Sequence, residues 1–171
     1  MRTKRLPANQ RAREAVILFT AGGFRFAIAA NAVREIRGLE GLEPRAGGPL
    51  SFRAPKVAFT LEREETTYFV VDTAKHFHLP AFKPQRVLVL RNGPVALLAD
   101  TTDRILEITL LHELPLGFTR DERTWYRGLA VVDGDVVPVV SHSGFLSRSE
   151  LMVLSVAMER LLADQKRAAA V

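Results

Sequence analysis

The side chains best suited to proton transfer or metal binding near neutral pH are the four histidines, which are His76, His78, His112 and His142. His76 and His78 follow Val71-Asp72-Thr73 in a segment that we expect to be a short helix. Residues two apart on a helix point in different directions. No nearby carboxylate or cysteine completes a ligand set. The sequence therefore predicts no metal site.

Ser141-His142-Ser143 follows two acidic residues, Asp133 and Asp135. Serine, histidine and aspartate are the residue types of a hydrolase's nucleophilic triad. Adjacent serine and histidine do not by themselves form a triad, which needs converging side chains and an oxyanion hole. The glycine-rich stretches Ala21-Gly22-Gly23 and 46–49 lack the Lys-Ser/Thr of a phosphate loop. We expect no catalytic or cofactor-binding residue. A small hydrolase or transferase using Ser141 and His142 is the alternative from another class.

Composition narrows the class of protein further. The 171 residues include no cysteine and carry a net charge of +5. Much of the positive charge lies in residues 1–14, a basic tail without the interleaved aromatics of a nucleic-acid site. No apolar run has membrane-spanning length, and no signal-peptide pattern follows the tail. We expect a cytoplasmic protein that neither binds nucleic acid nor inserts into a membrane.

Short apolar runs around glycine-bearing turns predict β-hairpins in an all-β chain. The turns contain Gly22-Gly23, Asn92-Gly93 and Asp133-Gly134. Asn-Gly is typical of a two-residue type I′ turn, in which both central residues have positive φ. Residues 39–55 hold several glycines and prolines and predict a loop with little regular structure.

The hairpins recur in the same order, which indicates an internal repeat. A shift of about 69 residues places Ile28 on Leu97 and Val71 on Val140. The domain spans residues 15–146, with one half at about 15–80 and the other at about 85–146. Several strands are apolar at successive positions, which predicts burial on both faces. The two halves are therefore expected to pack on each other.

Residues 147–171 differ from the rest and predict a C-terminal helix. Ser147 and Glu150 have the spacing of a capping box. An apolar stripe follows at helical spacing, formed by Leu151, Leu154, Met158, Leu161 and Leu162. The stripe docks either on the chain's own core or on a second copy, which would make the helix a self-association element.

The ordered set of segments resembles the CheW family, the adaptors of bacterial chemosensory arrays. The resemblance rests on residues 18–20, 22, 26–28, 33–38, 86–90, 95–100, 104–108, 126–129 and 133–140. It implies two small five-stranded SH3-like barrels on a common core. It also implies a non-enzymatic adaptor that binds the regulatory domain of a CheA-type histidine kinase and, in a groove between the barrels, the cytoplasmic tip of a chemoreceptor.

The resemblance also points to partner-binding residues. Val33, Glu35, Ile36 and Arg37 match the family segment placed near the receptor and kinase contacts. Family members usually carry Arg-Gly where this chain has Glu64 and Glu65, which reverses charge at an expected contact. A specialised array, a pilus or gliding-motility pathway, or a degenerate paralogue are therefore alternatives. Trp125 and Arg127 form an aromatic-basic pair of the kind that is common in protein interfaces. The alternative is that Trp125 covers one end of a barrel.

Overall fold

The computed structural model describes residues 13–40, 42, 45–46 and 54–171. Within these ranges the chain forms strands, short connections and one long helix. In chain order the elements are β1 (Glu14–Ala21), β2 (Phe24–Ala29), β3 (Val33–Gly38), β4 (Arg45–Ala46), β5 (Val57–Arg63), β6 (Thr66–Val71), α1 (Thr73–Phe77), β7 (Arg86–Leu90), β8 (Val95–Ala99), β9 (Thr101–Ile108), α2 (Glu122–Trp125), β10 (Tyr126–Val132), β11 (Asp135–Val140) and α3 (Arg148–Ala169).

The strands form two sheets with the same plan, each closed into a small SH3-like barrel. The first has the order β10-β11-β2-β1-β9, and the second has the order β3-β7-β8-β6-β5 with the two-residue β4 added at its end. Ion pairs connect strands that are not neighbours within a sheet, from Arg63 of β5 to Glu35 of β3 in one and from Arg127 of β10 to Glu14 of β1 in the other. The predicted all-β class with a C-terminal helix is confirmed.

Each barrel contains strands from both halves of the sequence. The hairpin β1–β2 lies in one sheet with β9, β10 and β11, while the hairpin β7–β8 lies in the other with β3, β5 and β6. The leading hairpin of each half therefore completes the barrel formed by the rest of the other half. This exchange interlocks the two halves, and neither barrel is built from one half alone.

Strand register shows the repeat directly. In one barrel Val70 faces Ala96 across a parallel pair, and in the other Val139 faces Ala27. Each residue lies 69 positions from its counterpart, at 70 and 139 and at 27 and 96. The bulge between Val57 and Phe59 recurs between Tyr126 and Gly128 at the same offset.

The shared core lies between the barrels and takes alternate residues of the central strands. Leu88 and Leu90 point into this core, together with Phe19 and Ile28. The intervening Val87 and Val89 lie in a separate cluster inside the second barrel. Successive side chains of a strand point to opposite faces, so these strands are apolar throughout because both faces are buried.

Turn geometry differs from one prediction. Asn92 and Gly93 do not form a type I′ turn, because only Gly93 has positive φ, at 103°. Gly22-Gly23, Glu64-Glu65 and Asp133-Gly134 each have two successive residues with positive φ. The predicted loop at 39–55 lies mostly outside the described residues, but it includes β4, which pairs with β5.

Helix α3 begins as predicted. Ser147 accepts a hydrogen bond from the Glu150 amide, and the Glu150 carboxylate accepts one from the Ser147 amide. Leu154 is fully buried in the shared core, and the partly buried Leu151, Met158 and Leu161 pack beside it. Leu162 is exposed, so the predicted stripe is wrong at that residue. No helix in the described ranges is long and apolar enough to cross a bilayer.

Candidate partner-binding surface

The candidate catalytic and metal-binding residues do not converge. The Ser141 hydroxyl lies 3.1 Å from that of Ser143. His76 is buried, while His78 and His112 are exposed. Among the described residues, no cluster of three or more His, Cys, Asp or Glu side chains is placed to hold a metal ion. The side chains that do form an organised exposed group are charged and lie on β3 and the β5–β6 turn.

Strand β3 presents alternate side chains to solvent. Val33 is buried in the shared core, so it supports the strand from beneath. The pairing register with β7 shifts between Val33 and Glu35, and the alternation of exposure continues through Arg34 and Ile36. Ile36 is 39% exposed, and Glu35 and Arg37 are half-buried beside it. An apolar side chain of this size exposed on an outermost strand is suited to a protein contact.

The β5–β6 turn lies across from β3. Glu64 and Glu65 have φ values of 45° and 64°, in a region that non-glycine residues enter at a cost of about 1–2 kcal/mol each. The equivalent turn of the other barrel uses Asp133 and Gly134, with φ of 52° and 84°. The tight turn holds Glu64 against Arg34 of β3 as an ion pair.

A second ion pair fixes the same region. Arg63 donates from Nε to Glu35 Oε1 at 2.9 Å and from a terminal nitrogen to Oε2 at 3.2 Å. Hydrogen bonding from Arg63 lowers the pKa of Glu35, and partial desolvation opposes this effect. Arg34 also donates to the Tyr68 hydroxyl at 3.1 Å, and this bond and Glu64 raise the pKa of Arg34. The carboxylate and both guanidinium groups therefore stay charged near neutral pH.

We call this group the β3 surface and define it as Arg34, Glu35, Ile36, Arg63, Glu64 and Glu65. Sequence reasoning found four of the six but missed Arg34 and Arg63. An arginine is followed directly by a glutamate at 34–35 and again at 63–64, and this pattern is the sequence feature that could have indicated Arg34 and Arg63. Only the closed barrel shows that these two segments face each other.

The structure places Trp125 and Arg127 away from the β3 surface. The Trp125 ring centre lies 5.0 Å from that of His76 and 5.9 Å from that of Phe77. Trp125 therefore covers the edge of the shared core. Arg127 forms a paired ion bridge with Glu14, with distances of 2.6 and 3.0 Å, and joins β10 to β1.

An open cleft of about 1280 Å³ lies beside Trp125, between α1 and the start of α3. Lys56 lies 3.3 Å from Glu150 and 3.5 Å from Nδ1 of His76. Burial, followed by the charges of Lys56 and His78, lowers the pKa of His76 to about 3. His76 is therefore neutral in the folded protein at ordinary pH. Beside it Lys56 and Glu150 neutralise each other as an ion pair, which indicates that the three residues have a structural role.

A second groove, of about 570 Å³, has mainly apolar walls. They include Phe24, Phe118, Tyr126, Val136 and Pro138, and Leu79 lies at one side. Burial and the charge of Glu122 raise the pKa of Tyr126 to about 12. Phe24 and Val136 are exposed, so the groove offers an apolar contact at the edge of the first barrel. We call it the Phe24 groove.

Comparison with known families decides the relationship. The model of the CheW-like domain matches residues 15–150. The chain belongs to the CheW-like family. Among solved structures, it resembles the scaffolding protein TtCheW from Thermoanaerobacter tengcongensis with a TM-score of 0.65 and 12% sequence identity. That match covers 76% of this CheW-like chain and 90% of TtCheW, and it supports the common fold. No curated protein gives a significant match.

Proposed function

We propose that this CheW-like chain is a non-enzymatic adaptor of a cytoplasmic chemosensory pathway that couples a chemoreceptor to a CheA-type histidine kinase. Family membership over residues 15–150 supports an adaptor role, as does the fold that it shares with a scaffolding protein. The observation that carries the proposal is the β3 surface, where an exposed isoleucine lies within a frame of fixed ion pairs.

The β3 surface suits recognition because it is ordered before a partner arrives. Ile36 supplies exposed apolar area, and the two-bond Arg63–Glu35 pair fixes the charged side chains beside it. Side chains held in place lose less conformational entropy on binding than free ones do. Arg63 and Glu35 therefore position the contact, while Ile36 makes it.

The acidic turn indicates the chemistry of the partner. Glu64 is already paired with Arg34, whereas Glu65 is exposed at the tip of the turn. Charges across an interface are arranged to be complementary. We infer that the partner presents a basic group to Glu65, which replaces the uncharged glycine of the family's Arg-Gly pair.

The Phe24 groove supports the second half of the proposal. The resemblance implies that a chemoreceptor tip, which is a coiled coil, binds in a groove between the barrels, and we propose that it binds instead in the Phe24 groove at the edge of the first barrel. An amphipathic helix docks by laying its apolar face in such a groove. The exposed ring of Phe24 and the exposed aliphatic side chain of Val136 suit the apolar face of such a helix.

The repeat supplies a matched control for testing the β3 surface. Ile105 is the counterpart of Ile36 in the other barrel and is 67% exposed. Titration calorimetry would measure binding of the full chain to a soluble kinase regulatory domain and to a receptor-tip fragment. We expect Ile36→Glu to weaken binding of at least one partner about tenfold. Ile105→Glu should leave the same affinity unchanged.

Two results would contradict the proposal in different ways. If Ile36→Glu and Ile105→Glu bind both partners as the wild type does, the β3 surface is not the contact. If the folded wild-type chain binds neither partner, the coupling role is wrong. The reversed charge at Glu64 and Glu65 would then favour the alternative, an interaction module for pilus or gliding motility or another partner.

A further inference from the structure

Helix α3 has two apolar faces, of which the chain's own core covers one. Leu151, Leu154 and Leu161 lie on the covered face. On the opposite side Met152 is 64% exposed and Val156 is 44% exposed. Exposed apolar side chains grouped on one helix face are typical of an interaction site.

The exposed face continues along the helix at regular spacing. It consists of residues spaced alternately by four and three positions, which keeps them on one side of a helix. We call this line the outer stripe and define it as Met152, Val156, Glu159, Ala163, Lys166 and Ala170.

The end of α3 has no tertiary support in the described part of the chain. From Leu162 onward every residue is exposed, and the helix runs to Ala169. At 1.5 Å per residue this end extends about 12 Å. Helical segments of this length are marginally stable in water without packing, so a partner helix would stabilise this one.

The outer stripe is complementary to itself in one orientation. An antiparallel pair centred on Leu161 sets Met152 opposite Ala170, Val156 opposite Lys166, and Glu159 opposite Ala163. Each Glu159 then lies within one turn of Lys166 of the other helix. A parallel pair would instead set Glu159 against Glu159 and Lys166 against Lys166, and like charges at such positions are destabilising.

We propose that α3 is a self-association element that pairs antiparallel with α3 of a second copy of this chain through the outer stripe. The proposed contact uses no residue of the β3 surface or of the Phe24 groove, because those surfaces include no residue of α3. A dimer formed in this way would present two copies of each binding surface and would bridge two partners.

Sedimentation equilibrium of the full chain from about 5 to about 500 μM tests the proposal, because dimerisation by mass action depends on concentration. We expect a wild-type dimer and about a tenfold weaker association for Val156→Lys, because the introduced charge would face Lys166 of the other helix. Gln165→Glu is the control, since Gln165 lies three turns along the line of Leu154, on the opposite side from the outer stripe. It should associate as the wild type does.

A charge exchange tests the orientation. Glu159→Lys and Lys166→Glu should each weaken self-association, because each variant sets like charges together in its own dimer. A mixture of the two variants restores opposite charges at both contacts and should recover association. A wild-type chain that stays monomeric throughout the range would overturn the proposal, as would a Val156→Lys dimer of unchanged strength. Failure of the mixture to associate would overturn the antiparallel arrangement.

Discussion

Acid should destabilise this protein through His76. The side chain is 4% exposed, and its ring centre lies within 5.0 Å of those of Trp125 and Phe145. Among the described residues its Nε2 has no hydrogen-bond partner, and Lys56 Nζ lies 3.5 Å from Nδ1. Protonation would therefore place a charge in an apolar pocket beside another cation.

The size of the effect follows from linkage between protonation and folding. The pKa of His76 is lowered by burial from its ordinary value of 6.5 to about 3 in the folded protein. Because the folded pKa is the lower one, the unfolded chain binds the proton more readily. The stabilisation is complete above pH 6.5 and is lost as the pH falls toward 3. With 1.36 kcal/mol per pH unit, about 2 kcal/mol is lost between pH 7.5 and pH 5.

Urea denaturation at several pH values in this range would measure the loss. His76→Phe keeps an aromatic ring in the pocket but cannot take up a proton. Its unfolding free energy should fall with acidification by about 2 kcal/mol less than that of the wild type. The exposed His112 provides the control, because His112→Gln should leave the wild-type pH dependence unchanged. If the unfolding free energies of the wild type and His76→Phe changed equally with pH, His76 would not be the source of the acid destabilisation.

Three further predictions concern stability, each measured by urea or thermal unfolding. Glu65→Gly should stabilise the fold by about 0.5–1 kcal/mol, because relief of left-handed strain exceeds the added entropy of the unfolded chain. Gly134→Ala at the equivalent turn should be destabilising, and a stable variant there would contradict this account. Gly144→Ala should cost about 2–3 kcal/mol of stability, since the new Cβ would lie 2.3 Å from the Thr124 carbonyl oxygen. A variant as stable as the wild type would show that the α2 segment can move to make room for the Cβ. Leu154→Ala should cost about 3 kcal/mol because the residue is fully buried, and a loss below about 1 kcal/mol would mean that α3 does not dock on the shared core.

The local units of the fold could be predicted from the order of residues alone. Hairpin turns at Gly22-Gly23 and Asp133-Gly134, the capping box at Ser147 and the repeat of about 69 residues all follow from neighbouring residues. Continuous apolar strands such as residues 87–90 also predicted burial on both faces. These features are readable because turn chemistry and side-chain period are local properties of the chain.

The choice of neighbouring strands could not be predicted in this way and is visible only in the folded chain. Similar apolar strands compete for the same places in a sheet, so local pattern does not say that β7–β8 completes the barrel of β3, β5 and β6. That exchange brings Arg63 to Glu35 and Arg34 to Glu64, and thereby creates the β3 surface. It also buries Val33, and the packing of α1 against α2 turns Trp125 into a cover for the core. Such contacts depend on which apolar faces, far apart in the sequence, are buried against each other. The spacing of residues along the chain does not encode which faces these are.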